Sequence, residues 1–147
     1  MNQFLFALAM TLATLTARAQ QSEIFAPDGK AIKGYDVVAF FKEAKPVDGA
    51  DSLTYAYKGS DWLFASRANL EAFKANPDKY VPQYGGYCAY GTSQGHKAPT
   101  DTDTWTIVDD KLYFNYNKKV QNNWSKNREE LIKKADEQWP LIKDKEK

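Results

Sequence analysis

The chain has 147 residues, with 20 Lys and Arg against 19 Asp and Glu, one His and one Cys. That length suits one domain with a real core, and the near-balanced charge argues against nucleic acid as a partner. A lone Cys and a lone His exclude a closed structural zinc site, which needs about four such ligands from one chain, and they exclude an intrachain disulfide.

Residues 1–19 read as a cleaved secretory signal. Phe4 to Ala17 is apolar but too short to span a bilayer, and Ala17-Arg18-Ala19 has the small-x-small spacing of a cleavage site. Met1-Asn2-Gln3 departs from the pattern, because its only charge is the α-amino group. Met1 and Met10 both leave with the signal, which rules out a methionine-rich copper site in the mature protein. No other stretch is suited to cross a membrane, so a periplasmic or secreted protein is expected. Residues 20–110 hold 13 acidic and 9 basic side chains, and residues 111–147 hold 6 and 10. The basic tail alternates in sign, as a solvated helix face does.

Ser22 to Lys33 reads as an extended lead-in ending at Gly34. Asp36 is placed to cap a helix over Val37 to Phe41, closed by Pro46. Leu53 to Lys58 and Trp62 to Phe64 read as a hairpin turning at Gly59-Ser60, with Tyr55 and Tyr57 on one face. Ser66 caps a helix over Arg67 to Ala75 that ends at Asn76-Pro77. Thr104 to Val108 and Leu112 to Tyr116 form a second hairpin around Asp109-Asp110. Asn117 starts a helix carrying Val120 and Trp124. Asn127 and Glu129-Glu130 open a last helix whose apolar face is Leu131, Ile132, Ala135 and Trp139, stopped by Pro140. The fold expected is a small α+β domain with two β-hairpins and several helices, followed by a frayed basic tail over 140–147.

Between the hairpins lies the segment most suggestive of chemistry. Tyr84-Gly85-Gly86-Tyr87-Cys88-Ala89-Tyr90-Gly91 runs on to His96-Lys97 and holds the only Cys and the only His. Glycine permits close backbone approach, and tyrosine supplies an apolar wall with a polar tip. Eight residues of unbroken helix would separate Cys88 from His96 by about 12 Å. Gly91 and Gly95 offer places for the chain to fold back. His96 and Lys97 are the candidate neighbours to lower the thiol pKa, and Tyr87 and Tyr90 the candidate groups around it. Tyr84, Tyr87 and Tyr90 recur every third residue, a stripe that on a helix is core more often than site. Tyr35, Asp36 and Trp62 read as packing and capping residues rather than a pocket lining, and Trp105 and Trp139 as core.

The run Tyr57-Lys58-Gly59, Trp62-Leu63-Phe64-Ala65-Ser66, Phe73, Asn76-Pro77 and Tyr80 resembles the YHS domain. Gly34 to Phe41, Tyr84 to Gly91, Trp105 to Asn117 and the terminal helix are similar to an exported branch of that family, so the resemblance spans 34–139. Metal-associated members carry cysteines where this chain has Ala39 and Phe64-Ala65-Ser66-Arg67-Ala68-Asn69, so their thiolate site is missing here. Some relatives carry selenocysteine at the position matching Cys88. The resemblance therefore implies chalcogen chemistry at Cys88.

Three functions stay open. The first is a soft-metal site, copper(I) above all, with Cys88 and His96 as ligands, Tyr87 and Tyr90 excluding water, and a homodimer to double the donors. The second is a redox thiol in which Cys88 is the catalytic residue, cycling through a sulfenic acid and restored by an external thiol. The third is a binding module in which Cys88 only packs. A cysteine hydrolase lacks any supporting signature, and a dithiol oxidoreductase lacks a resolving cysteine.

Overall fold

The carboxylate of Asp36 fixes the start of the fold. In a computed structural model, which describes residues 23–145, Oδ1 accepts from the N–H groups of Val38 (2.9 Å) and Ala39 (3.2 Å). These are the bonds of an N-cap, and they begin α1 at Val37–Lys42. Oδ2 accepts from Ala65 N–H and from Asn69 Nδ2 at 2.9 and 2.8 Å. One buried side chain thus joins α1 to the end of β2 (Ser60–Phe64) and the first turn of α2 (Arg67–Ala75). Asp36 is a structural hub, as a capping residue should be.

β1 (Ala50–Tyr57) pairs antiparallel with β2. The turn falls at Lys58-Gly59, where φ is 49° and 74°, and Ser60 already pairs with Tyr57. It sits one residue earlier than the expected Gly59-Ser60, because a tight hairpin needs two left-handed residues together. Tyr55 and Tyr57 stack on one face at 6.3 Å and meet Phe73 of α2 edge-on. Phe40, Trp62, Phe64, Phe73 and Phe114 form the centre of the first core, each 1% exposed or less. Burial of each is worth about 1.5–3 kcal/mol. Ser66 caps α2 by accepting from Asn69 N–H at 3.1 Å. Asn76-Pro77 ends α2, and the proline then opens the short α3 at Pro77–Tyr80.

The lead-in is not extended. Pro27–Gly29 and Ala31–Gly34 are 3₁₀ turns in which Asp28, Ile32 and Lys33 take positive φ. Ile32 N–H bonds the Phe25 carbonyl at 2.9 Å, and Ile32 is fully buried, so core contact overrides its backbone preference.

The second half holds α4 (Ala89–Ser93), β3 (Asp101–Val108), β4 (Lys111–Asn115), α5 (Lys118–Lys126) and α6 (Arg128–Ile142). β3 and β4 form an antiparallel pair turning at Asp109-Asp110, with φ of 51° and 60°. Asn117 caps α5 through Val120 N–H at 2.9 Å. Tyr84, Tyr113, Trp124, Leu131 and Ala135 form a second core beneath α6. α6 runs through Pro140 rather than stopping there. Lys143 N–H still bonds the Trp139 carbonyl at 2.9 Å, Ile142 is buried, and Lys97 Nζ bonds the Lys143 carbonyl. The proline removes one helical hydrogen bond, and these contacts hold the turn beyond it.

The described residues thus make an α+β domain of six α-helices and two small two-stranded antiparallel sheets. No helix among them is long and apolar enough to cross a membrane. The expected signal over 1–19 lies outside the described residues.

Candidate functional site

Cys88 stands where the two cores meet, 1% exposed. Its N–H bonds the Ala98 carbonyl at 3.0 Å, and it bridges to Phe114 of β4. Just ahead of Tyr87-Cys88, Gly85 and Gly86 take φ of 61° and 88°. A Cβ on Gly85 would lie 1.8 Å from the Glu23 carbonyl oxygen, and one on Gly86 would lie 2.2 Å from Ile32 Cδ1. Only glycine fits either place. Tyr84 shares the left-handed turn at φ 57°, held by its hydroxyl donating to Asp136 Oδ1 at 2.9 Å. Burial and that carboxylate push the Tyr84 phenol far above its ordinary value.

The sulfur is surrounded by polar groups. Sγ accepts from the N–H groups of Tyr116 (3.3 Å) and Gly91 (3.4 Å). The thiol in turn faces Asn115 Oδ1 at 3.6 Å, within reach of an S–H donor. Burial pushes the Cys88 thiol up from its ordinary value, and N–H groups of Gly91, Tyr116 and Tyr90 pull it partly back. Neither expected neighbour has a part in this balance. Lys97 points away, its Nζ 5.0 Å above the Tyr87 ring and 5.6 Å from that of Trp139.

His96 does fold back, as the glycines allow. α4 ends at Ser93, Gly95 takes φ 86°, and His96 N–H bonds the Gly91 carbonyl at 3.1 Å. The imidazole lies over Gly91, with Nε2 3.3 Å from where a Cβ would stand. It is exposed, and among the described residues no hydrogen bond joins its ring to Cys88.

The three tyrosines do not form a stripe, because the chain changes direction between them. Tyr84 lies in a 3₁₀ turn, Tyr87 in a link and Tyr90 in α4. Tyr87 is buried against Phe25 and Trp139, its phenol pushed up to about 12 by burial. Tyr90 turns its side chain outward, 38% exposed, and serves the site through its N–H. Trp62 is core, its indole N–H bonded to the Tyr57 carbonyl at 2.8 Å. Trp105 and Trp139 are only half-buried; Trp124 is the fully buried tryptophan of the second core.

Asn115 is the residue the sequence did not announce. It is fully buried, and Oδ1 accepts from Tyr90 N–H at 3.2 Å as well as facing Sγ. A main-chain N–H can only donate, so the atom toward it must be oxygen and the amide cannot be flipped. Nδ2 is then left with no partner among the described residues, an arrangement costing about 1–3 kcal/mol. The backbone of Asn115 is pinned where the β3–β4 register shifts. Its N–H bonds Thr104 Oγ1 at 2.7 Å, and Gln121 Nε2 bonds the Thr104 carbonyl at 2.9 Å. The available signal was a polar residue ending the apolar run Leu112-Tyr113-Phe114.

Tyr116, whose N–H reaches Sγ, also lines a surface hollow of about 350 Å³ with Lys33, Thr100 and Asp101. Two other hollows border Tyr84 with Asp136 and Tyr113 with Arg128, and neither is lined by Cys88. Among the described residues no three His, Cys, Asp or Glu side chains are grouped to hold a metal. As a copper(I) chelate, Cys88 and His96 do not fit as they stand: the sulfur is turned to N–H donors and the imidazole lies outside, across Gly91.

A buried thiol on a small α+β scaffold is therefore the class that fold and site define. Residues 40–84 match the family model of the YHS domain, a domain generally associated with metal handling. Cys88 and Asn115 lie beyond the matched segment. No curated protein and no solved structure matches the chain.

Proposed function

We propose that Cys88 is a redox thiol, protonated and shielded at rest, oxidised by a peroxide and restored by an external thiol. The supporting observation is the convergence of two main-chain N–H donors on Sγ, at 3.3 and 3.4 Å. The Gly91 bond also caps α4, whereas the Tyr116 bond comes from 28 residues away and serves no cap. Donors that hold a thiolate stabilise it as its proton leaves. Reaction requires local opening over the sulfur; α4 is one short turn carrying the part-exposed Tyr90, and Tyr116, whose N–H reaches Sγ, is exposed. With residues 1–19 read as an export signal, the site works in a periplasmic or secreted protein.

Copper(I) ligation by Cys88 and His96 is the second reading. What favours it is the reversal that lays Nε2 over Gly91, the residue whose N–H bonds Sγ. A ligand pair would need His96 to swing inward, or a second subunit to supply donors.

The test adds peroxide to the purified protein in the presence of a small thiol and follows oxidation of that thiol. Turnover that disappears in Cys88→Ser is expected; equal rates in both proteins would overturn the redox reading. Competition with a copper(I) chelator runs beside it. Tight stoichiometric binding lost in both Cys88→Ser and His96→Ala would put the second reading first.

A further inference from the structure

We propose that Asn115 handles the oxygen delivered to Cys88, and that the oxidant is a small peroxide, hydrogen peroxide rather than a bulky hydroperoxide. This rests on the redox reading above. The amide carries two different groups next to the thiol's surroundings, one engaged and one not. Oδ1 faces the thiol at 3.6 Å and is locked in that orientation by Tyr90 N–H at 3.2 Å. Nδ2, on the same planar group, is buried with no partner among the described residues. An unpaired buried donor on the amide whose oxygen faces the sulfur is complementary to an oxygen atom that the resting site lacks.

The step balances as follows. The thiol loses its proton, and a sulfur electron pair attacks one peroxide oxygen. An S–O bond forms and the O–O bond breaks. Sulfur is oxidised by two electrons, and the departing hydroxide takes up a proton to leave as water. Nδ2 donates to the oxygen now bound to sulfur, while the Gly91 and Tyr116 N–H groups hold the thiolate before attack. An external thiol then attacks that sulfur, releasing water and leaving a mixed disulfide. A second external thiol frees Cys88. Selectivity follows from burial: with Cys88 1% exposed, a two-oxygen molecule needs far less opening than one with a bulky organic arm.

Two measurements test it. In ¹⁵N-labelled wild-type protein, one equivalent of hydrogen peroxide should shift the Asn115 side-chain amide resonances as a sulfenic acid forms. Sulfenic acid without that shift overturns the proposal. In Asn115→Leu, oxidation by hydrogen peroxide should slow by about tenfold, as for loss of one hydrogen bond to the transferred oxygen. Alkylation by iodoacetamide, which delivers no oxygen, should change far less. Parallel changes in both rates would make Asn115 a packing residue and sink the idea, as would equal wild-type rates with hydrogen peroxide and cumene hydroperoxide. If wild type forms no sulfenic acid at all, the redox reading itself has failed. Should Asn115→Leu not fold, the wild-type resonance decides alone.

Discussion

Asn69 Nδ2 donates to Asp36 Oδ2 at 2.8 Å, joining two side chains 33 residues apart in the chain. Three main-chain N–H groups share the same carboxylate, so Asp36 satisfies four donors. Asp36→Ala would orphan all four, and we expect a loss of about 3 kcal/mol or more. Asn69→Ala removes one bond to a charged group and should cost about 1.5–3 kcal/mol. Urea unfolding measures both. A loss below that of Asn69→Ala for Asp36→Ala would contradict the hub.

Gly85 carries the approach of the N-terminal segment to the site. Gly85→Ala meets both a left-handed φ and the Glu23 carbonyl, and should destabilise by at least about 2 kcal/mol. Gly59→Ala, at φ 74° with nothing within 4 Å, carries only the backbone strain and should lose clearly less. Similar melting temperatures for the two variants would refute the close approach.

Alkaline pH should unfold this protein through its buried phenols. Burial raises Tyr87 and Tyr113 to about 12 from 10.0, so the folded state holds those protons more tightly than the unfolded chain. The stabilisation is complete below about pH 10 and is lost as pH rises toward 12. Tyr113→Phe should flatten that decline in melting temperature. A wild-type curve unchanged between pH 10 and 12 would refute it.

His96 separates the two functional readings. Its ring makes no hydrogen bond to Cys88 among the described residues, so His96→Ala should leave the peroxide oxidation rate within about threefold of wild type. A loss of a hundredfold would place the imidazole in the reaction, contrary to the geometry.

What the sequence disclosed was whatever is local. Period-two runs and paired turn residues marked both hairpins, and Asp36, Ser66 and Asn117 marked helix starts because a cap acts on N–H groups two or three residues away. The 3₁₀ turns at residues 27–34 were hidden, since Ile32 adopts positive φ against its own preference for the sake of core contacts, and the exposed Lys33 follows it in the same turn. Lys97, 46 residues before Lys143, bonds its carbonyl beyond Pro140, a tertiary contact no helix-stop rule contains. Cys88 stood out as the only cysteine of the chain. Asn115 did not, because it reaches Cys88 across 27 residues and by way of a register shift at Thr104. The first layer of a site can be read from residue rarity; its partners are placed by the fold.

The central claim is that Cys88 is a redox thiol rather than packing. Mass spectrometry of the native protein, treated with one equivalent of hydrogen peroxide beside a sulfenic-acid trap, tests it most directly. The account expects a single trapped adduct on Cys88 that forms in the folded protein and is absent from Cys88→Ser. An unmodified thiol in the folded protein, reacting only after denaturation, would contradict it and leave Cys88 a buried core residue.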